Sequence, residues 1–309
     1  MNSTDALVLA PLPLLQPFWD ALRARSALLS PVGCACVALL LHLCFSTPFL
    51  LLELLGARST LLRRYRIAGR EYGARETADR WFECLARITC LYVAAVLPLA
   101  ALVQLFGGDT GHDRYREAPP LFRALSQIFA CLLLFDTLFF VSHYAIHRNQ
   151  WLFQKIHRSH HLHRDTFALA AQDSGVTELL LQQMLAICSA RLVGCHPMSE
   201  ILFHFLNIWL AVEDHCGYDF PWATHRLLPC FGGPPFHHAH HLHFRGNYAP
   251  YFRHWDLIFR TSLPPAPTHK GNSSTSVFDH QALSNYSVGS CKNFHSTAVR
   301  RRLLKGQNI

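Results

Sequence analysis

Long apolar stretches alternate with short polar and basic connections along this chain. Residues 31–54 (PVGCACVALLLHLCFSTPFLLLEL), 84–106 and 121–142 are each apolar over more than 20 positions, the length a helix needs to cross a hydrocarbon core about 30 Å thick. Pro48 predicts a kink in the first, and Arg87 lies near one end of the second, where it can snorkel. Two further segments, 175–194 and 197–212, are shorter or less uniformly apolar. They predict a hairpin that dips into the membrane and returns, or a pair of helices packed on the others. The pattern therefore predicts an all-α, polytopic integral membrane protein. Its parts would be an amino-terminal segment (1–30), three spanning helices (31–142), a histidine-rich region (143–261) containing the hairpin, and a flexible tail (262–309).

Composition agrees. Half of the 309 residues are hydrophobic and 16% are charged, against about 25% charged in a soluble domain. The net charge of +8 is concentrated in 58–80, 148–164 and 300–305, beside apolar segments rather than on a soluble basic face, which argues against a nucleic-acid partner. The loop 57–80 carries Arg58, Arg63, Arg64, Arg66, Arg70, Arg75 and Arg80 against Glu71, Glu76 and Asp79. The positive-inside bias then places this loop, the region after Ser142 and the tail in the cytosol, and the amino terminus in the lumen. Asp5, Pro11 and Pro13 interrupt the first apolar run, so no signal peptide is expected and the first long apolar segment is retained as an anchor. Of three glycosylation sequons only Asn2 would be lumenal; Asn272 and Asn285 would be cytosolic. Eleven cysteines without a CxxC suggest neither structural zinc nor a disulfide framework.

Twenty-one histidines are present, eight of them in three tight clusters: HYAIH (His143, His147), HRSHH (His157, His160, His161) and HHAHH (His237, His240, His241). Spacings of three and four place imidazoles on one helical face and aim each cluster at one point. Histidine is the commonest metal ligand, and eight are too many for one closed four-ligand zinc site, so a pair of transition metals is expected. His215, after an apolar helix and before Gly217 and Pro221, is the natural ninth ligand. Glu213 and Asp214 beside it could ligate, or orient the imidazoles. Asp136, seven residues before His143, either accepts an N–H from a ligand imidazole or makes a helix-packing hydrogen bond. His225, His238 and His243 are supporting candidates, His163 is solvated or supporting, and His196 and His204 belong to packing. Neutral imidazoles around two adjacent metals suit a redox pair of irons, with zinc a possible replacement, that activates oxygen to attack a C–H bond of a membrane lipid.

The motifs HxxxH, HxxHH and HxxHH, with LLQPFWD, LLRRYRI, CLLLFDTLFFVSH, FHFLNIWLAVEDHCGYDFPWATHRLLP and NYAPYFRHWDLIF, resemble the fatty acid hydroxylase superfamily over residues 14–260, and its cholesterol 25-hydroxylase branch most. The resemblance implies a diiron enzyme of the endoplasmic reticulum with its site facing the cytosol. It implies hydroxylation of cholesterol at carbon 25, using O2 and electrons from NADPH through a donor such as cytochrome b5 and its reductase. The alternatives are hydroxylation or desaturation of another sterol or fatty acyl carbon, a non-catalytic lipid-binding relative, and a histidine-rich metal transporter. A transporter needs ionisable groups along a crossing path, whereas the clusters bunch at one interface.

Overall fold

The computed structural model describes residues 14–56, 59–67, 69, 71–107 and 115–268. Asn2, Asn272, Asn285 and the tail from residue 269 lie outside them. The chain is all-α, with isolated β-bridges in place of a sheet among the described residues. A short helix α1 (Gln16–Arg23) precedes α2 (Pro31–Gly56), α3 (Ala74–Phe106), α4 (Leu121–Arg148), α5 (Val176–Val193), α6 (Pro197–His215), α7 (Gly233–His243) and α8 (His254–Ile258). Four of these, α2 to α5, are long and apolar enough to cross a membrane. They turn large apolar side chains outward, among them Leu40, Leu51, Val93, Leu105, Phe122, Phe129 and Leu192. A lipid solvent explains such outward apolar residues where water would not. The chain is a multi-pass membrane protein.

Helix α3 begins ten residues before the apolar stretch. Its first turns are amphipathic, and they bury Trp81 and Cys84 against Phe167 and the Ala168–Gln172 turn. Periodicity, not mean apolarity, marks this part. The same helix widens into a π-turn at Tyr92–Val96, just before Pro98. Proline lacks the N–H that an α-helix needs and its ring crowds the preceding turn, and the wider turn absorbs both effects. A three-residue turn, Gly194–His196, joins α5 to α6, with Gly194 at φ 69°. The left-handed conformation there favours glycine.

The described start of the expected tail is anchored instead of flexible. Asn247 Oδ1 accepts from Leu263 N at 2.6 Å, Ala266 N donates to Pro235 O at 2.8 Å, and Thr268 bridges to Ile67. Polarity and prolines suggested a mobile tail, but those same prolines leave few N–H groups to satisfy, and the available ones find partners on α7 and the preceding loop. Residues 262–268 therefore belong to the folded part.

Asp136 serves packing, not an imidazole. From α4 its Oδ1 accepts from the backbone N–H groups of Tyr251 and Phe252 at 2.9 and 3.0 Å. This bond fixes the loop before α8 on α4. Asp136→Ala would leave two buried N–H groups unsatisfied, at a cost of about 2–4 kcal/mol. Thermal unfolding in detergent should show a lowered midpoint for Asp136→Ala, with a smaller loss for Asp136→Asn, which keeps an acceptor oxygen.

Candidate metal centre

The three clusters and His215 meet at one end of the helical bundle. His143 and His147 lie on the last turns of α4, and His215 ends α6. His157 closes a π-turn (Phe153–His157), while His160 and His161 open a 3₁₀ turn. The third cluster lies on α7. Gly232 and Gly233 open this helix. The His225 ring sits where a Cβ on Gly233 would fall, 2.2 Å away, so a side chain there would displace it.

Nine imidazoles sort into two groups of converging nitrogens. His143, His147, His157, His161 and His240 form the first, and His160, His215, His237 and His241 the second. The sequence expectation that each cluster aims at one point is corrected here. In both HxxHH clusters the residues at i and i+4 share a group and the residue at i+3 crosses to the other. His157 and His161 join the first while His160 joins the second; His237 and His241 join the second while His240 joins the first. The shift from π to 3₁₀ winding between His157 and His160 accompanies this split.

Within the first group the Nε2 atoms of His143 and His157 are 2.8 Å apart, those of His143 and His147 3.1 Å, and those of His161 and His240 3.1 Å. In the second, His215 lies 3.2 Å from His160 and 3.1 Å from His237, and His241 lies 3.1 Å from His237. The far sides of the rings decide the tautomers. His143, His147, His215 and His240 place Nδ1 at 2.7–3.0 Å from the carbonyls of Tyr248, Phe244, Ala211 and Gly246. A carbonyl only accepts, so Nδ1 carries the proton and Nε2 turns its lone pair inward. Several lone pairs aimed at one point repel unless a cation lies between them. Nitrogens held about 2.1 Å from a common metal lie about 3.0–3.4 Å apart, close to the spacing observed. The donor set fits two transition metals.

Electrostatics keep the rings neutral. Burial, followed by repulsion from neighbouring imidazoles, drives His157, His160, His237, His240 and His241 well below the ordinary histidine range. Neutral imidazole is the ligating form.

Glu178 of α5 was not singled out by the sequence. Its Oε1 accepts from His157 Nδ1 at 2.8 Å and from Gln182 Nε2 at 3.2 Å, while its Oε2 has no hydrogen-bond partner. An acid inside an apolar helix was the available signal. Asp256 was also missed. It accepts from Tyr248 N and Ala249 N, which positions the Tyr248 carbonyl over His143.

Other candidates fall elsewhere. Glu213 accepts from Thr224 N, and Asp214 is buried but belongs to neither histidine group. His225 pairs with Asp219 at 3.2 Å. His238 points to Thr166 Oγ1 at 2.8 Å, on the outer side of α7, and His243 is exposed at its end. His196 and His204 pack against Trp19 and Phe203. His163, Asp173 and Cys84 converge separately. Burial pushes the Asp173 carboxyl up, but the hydrogen bonds from His163 and Arg87 outweigh it and hold it at about 2. The guanidinium at 2.6 Å already neutralises that carboxylate, so the trio is an ion-pair cluster.

A recess between α4 and α5 leads to the first group. Phe139, Ile146, Leu181 and Leu185 wall it, and His143, His157 and Glu178 line it. On another side a charged cleft with Glu53, Arg66, Arg80 and Asp165 borders His238.

The fatty acid hydroxylase family pattern matches residues 128–261, the stretch that holds all nine histidines. A cholesterol 25-hydroxylase-like protein of Danio rerio is 42% identical over 80% of this chain and 97% of its own length. Cholesterol 25-hydroxylase of Homo sapiens is 40% identical over 82% and 93%. The chain belongs to the fatty acid hydroxylase superfamily and groups with the cholesterol 25-hydroxylases. A methylsterol monooxygenase of Aspergillus fumigatus, 33% identical over 62% of the chain, is more distant. No solved structure matches. Membership gives the chain a sterol or fatty-acid hydroxylase function, an oxidoreductase chemistry that depends on oxygen.

Removing the Glu178 carboxylate tests its part in the site. Glu178→Ala should weaken metal binding about 10–100-fold, read by metal content after dialysis against a graded chelator, while Glu178→Gln retains part of it. Equal retention in Glu178→Ala and the unaltered chain would remove Glu178 from support of His157.

Proposed function

We propose that this protein hydroxylates cholesterol at carbon 25 in the membrane of the endoplasmic reticulum, using two irons held by the nine histidines. The observation that carries the iron pair is the division of nine neutral imidazoles into two adjacent groups with lone pairs directed inward. The sterol and its carbon rest on similarity to proteins named for that reaction. One oxygen atom enters the C–H bond and the other leaves as water, with two electrons from NADPH through a cytosolic donor such as cytochrome b5 and its reductase, and two protons. Iron bound there in its reduced state would supply the oxygen activation.

The chain's own groups do the rest. His143, His147, His157, His161 and His240 would hold one iron, and His160, His215, His237 and His241 the other. Backbone carbonyls and Glu178 fix the ring tautomers of His143, His147, His157, His215 and His240. The recess between α4 and α5 sets Phe139, Ile146, Leu181 and Leu185 beside His143 and His157; these apolar walls would part to admit the apolar end of a sterol and would exclude water from the reacting carbon. Orientation follows from the basic loop. Glu53 at the end of α2 pairs with Arg80 at 2.9 Å, and Arg66 bridges to Tyr218, two residues beyond Cys216 at the end of α6. The arginine-rich loop thus shares the histidine end of the bundle, and the positive-inside bias supports a cytosolic side for both. Protease protection in sealed microsomes should leave that loop and a carboxyl-terminal tag cleavable and Asn2 shielded; a protected tag would overturn this orientation.

Microsomes containing the chain, supplied with cholesterol, O2, NADPH and a cytosolic donor system, should yield 25-hydroxycholesterol by mass spectrometry. His160→Ala should lower metal content and abolish turnover. Oxidation of a methylsterol or fatty acyl substrate in place of cholesterol would sink the substrate assignment and leave the oxidation chemistry standing.

A further inference from the structure

The end of the bundle away from the histidines is closed by a different set of contacts. The α5–α6 turn, Gly194–His196, lies against the first half of α4. Gln127 donates to Gly194 O and accepts from His196 N, each at 3.3 Å. His196 reaches the Glu117 carbonyl at 3.0 Å and stacks edge-on with Trp19 of α1. Trp19 donates to the Tyr115 carbonyl at 2.8 Å, which closes α1 and the 115–118 segment over the turn. At the turn itself Gly194 N donates to Arg191 O and Cys195 N to Ala190 O, both at 3.1 Å. These paired bonds at a left-handed glycine fix the Cys195 backbone.

Against this fixed turn sits Cys131 of α4. Its sulfur is 3.1 Å from that of Cys195, about 1 Å more than a covalent S–S bond. The two residues are 64 apart in sequence, so the contact is a product of the fold. Cys131 is buried, and Cys195 is partly open to a reagent. Cys131 precedes His143 by 12 residues on one helix, a rise of about 18 Å, so the sulfur pair is remote from the metal centre.

We propose that Cys131 and Cys195 form a disulfide that joins α4 to the α5–α6 turn on the lumenal side of the membrane. The side follows from the orientation proposed above, since Cys131 stands in the half of α4 away from the arginine-rich loop and the turn that carries Cys195 packs beneath the 115–118 segment. The lumen of the endoplasmic reticulum sustains disulfides, whereas the cytosol does not. The oxidant is a small-molecule or protein disulfide of that compartment. The two thiols lose two protons and two electrons to form the Cys131–Cys195 bond, and the oxidant's disulfide is reduced to two thiols by two successive exchanges. The absence of a CxxC framework hid the pair, because the partners lie in different helices and only packing brings them together.

The bond would tie the substrate-side helices α4 and α5 at one end while leaving their histidine-bearing ends to the metals. The test uses the full chain in microsomes prepared without reductant. The protein is unfolded in denaturing detergent and its free thiols are alkylated with one reagent, it is then reduced, and newly released thiols are alkylated with an isotopically distinct reagent before peptide mass spectrometry. Cys131 and Cys195 should carry the second label together, and in Cys195→Ser Cys131 should carry the first. Reduction should lower the melting temperature of the unaltered chain by about 5 °C and leave that of Cys195→Ser unmoved. Metal content and sterol oxidation should persist in Cys195→Ser, so loss of hydroxylase function and loss of the disulfide are read separately. First-label alkylation of both cysteines in the unaltered chain would overturn the proposal.

Discussion

Inward-facing lone pairs set the terms for this molecule. Nine imidazoles present Nε2 to two points inside a dry region, and such an arrangement is unfavourable unless two constraints hold. The rings must be neutral, which burial and mutual repulsion impose. Five of them, His143, His147, His157, His215 and His240, are also kept from rotating to a partner of their own by the carbonyls of Tyr248, Phe244, Ala211 and Gly246 and the carboxylate of Glu178. The segment after α7 supplies three of those carbonyls, from Phe244, Gly246 and Tyr248, and α6 supplies that of Ala211. Asp256 holds Tyr248, Asn247 holds Leu263, and Asp136 holds Tyr251 and Phe252. A buried carboxylate remote from the metal sites thus acts on them through a backbone that could not otherwise satisfy its N–H groups.

The exchange between the two HxxHH clusters follows from the same constraint. One helical face carries residues at i and i+4 nearly in line, while i+3 is rotated to one side. Two such segments set against each other therefore share two adjacent sites by contributing two ligands to one and a single ligand to the other. The second cluster contributes its pair to the first site, and the third contributes its pair to the second. His143 and His147 then complete one group and His215 the other. The reciprocity ties the sites together. Neither group can form without residues from both segments, so the sites assemble with the fold and not before it.

Much of this was legible in the sequence. Apolar length located three of the four helices long and apolar enough to span, with 175–194 read as half of a hairpin or a packed helix, and local spacing located eight of the nine imidazoles, because i, i+3 and i+4 are a helical pattern; His215 was read from its place after an apolar helix and before Gly217 and Pro221. What could not be read depends on contacts between distant segments. Asp136 read equally well as an imidazole partner or a packing group; only the position of Tyr251 and Phe252 decides. Glu178 gave a weak signal because its worth depends on His157, 21 residues earlier and in another element. His238 and His243 carried the right residue type but stand on the wrong side of α7 or at its exposed end.

The two ends of the bundle solve different problems. At the histidine end, polar and charged groups are numerous, and buried acids, carbonyls and imidazoles satisfy one another across elements. At the other end the polar groups are few, and Gln127, His196 and Trp19 each bridge a turn or segment that has no helix to complete it. Between them lie apolar helices whose contacts in lipid gain little from hydrophobic burial, since the lipid is as apolar as the core. Register along the helices must therefore be set at the ends. A sliding of α5 along α4 would break the Gln127 clamp at one end and separate Glu178 from His157 at the other. The geometry of the histidine groups is held from both ends of the helical bundle, although every imidazole lies at one.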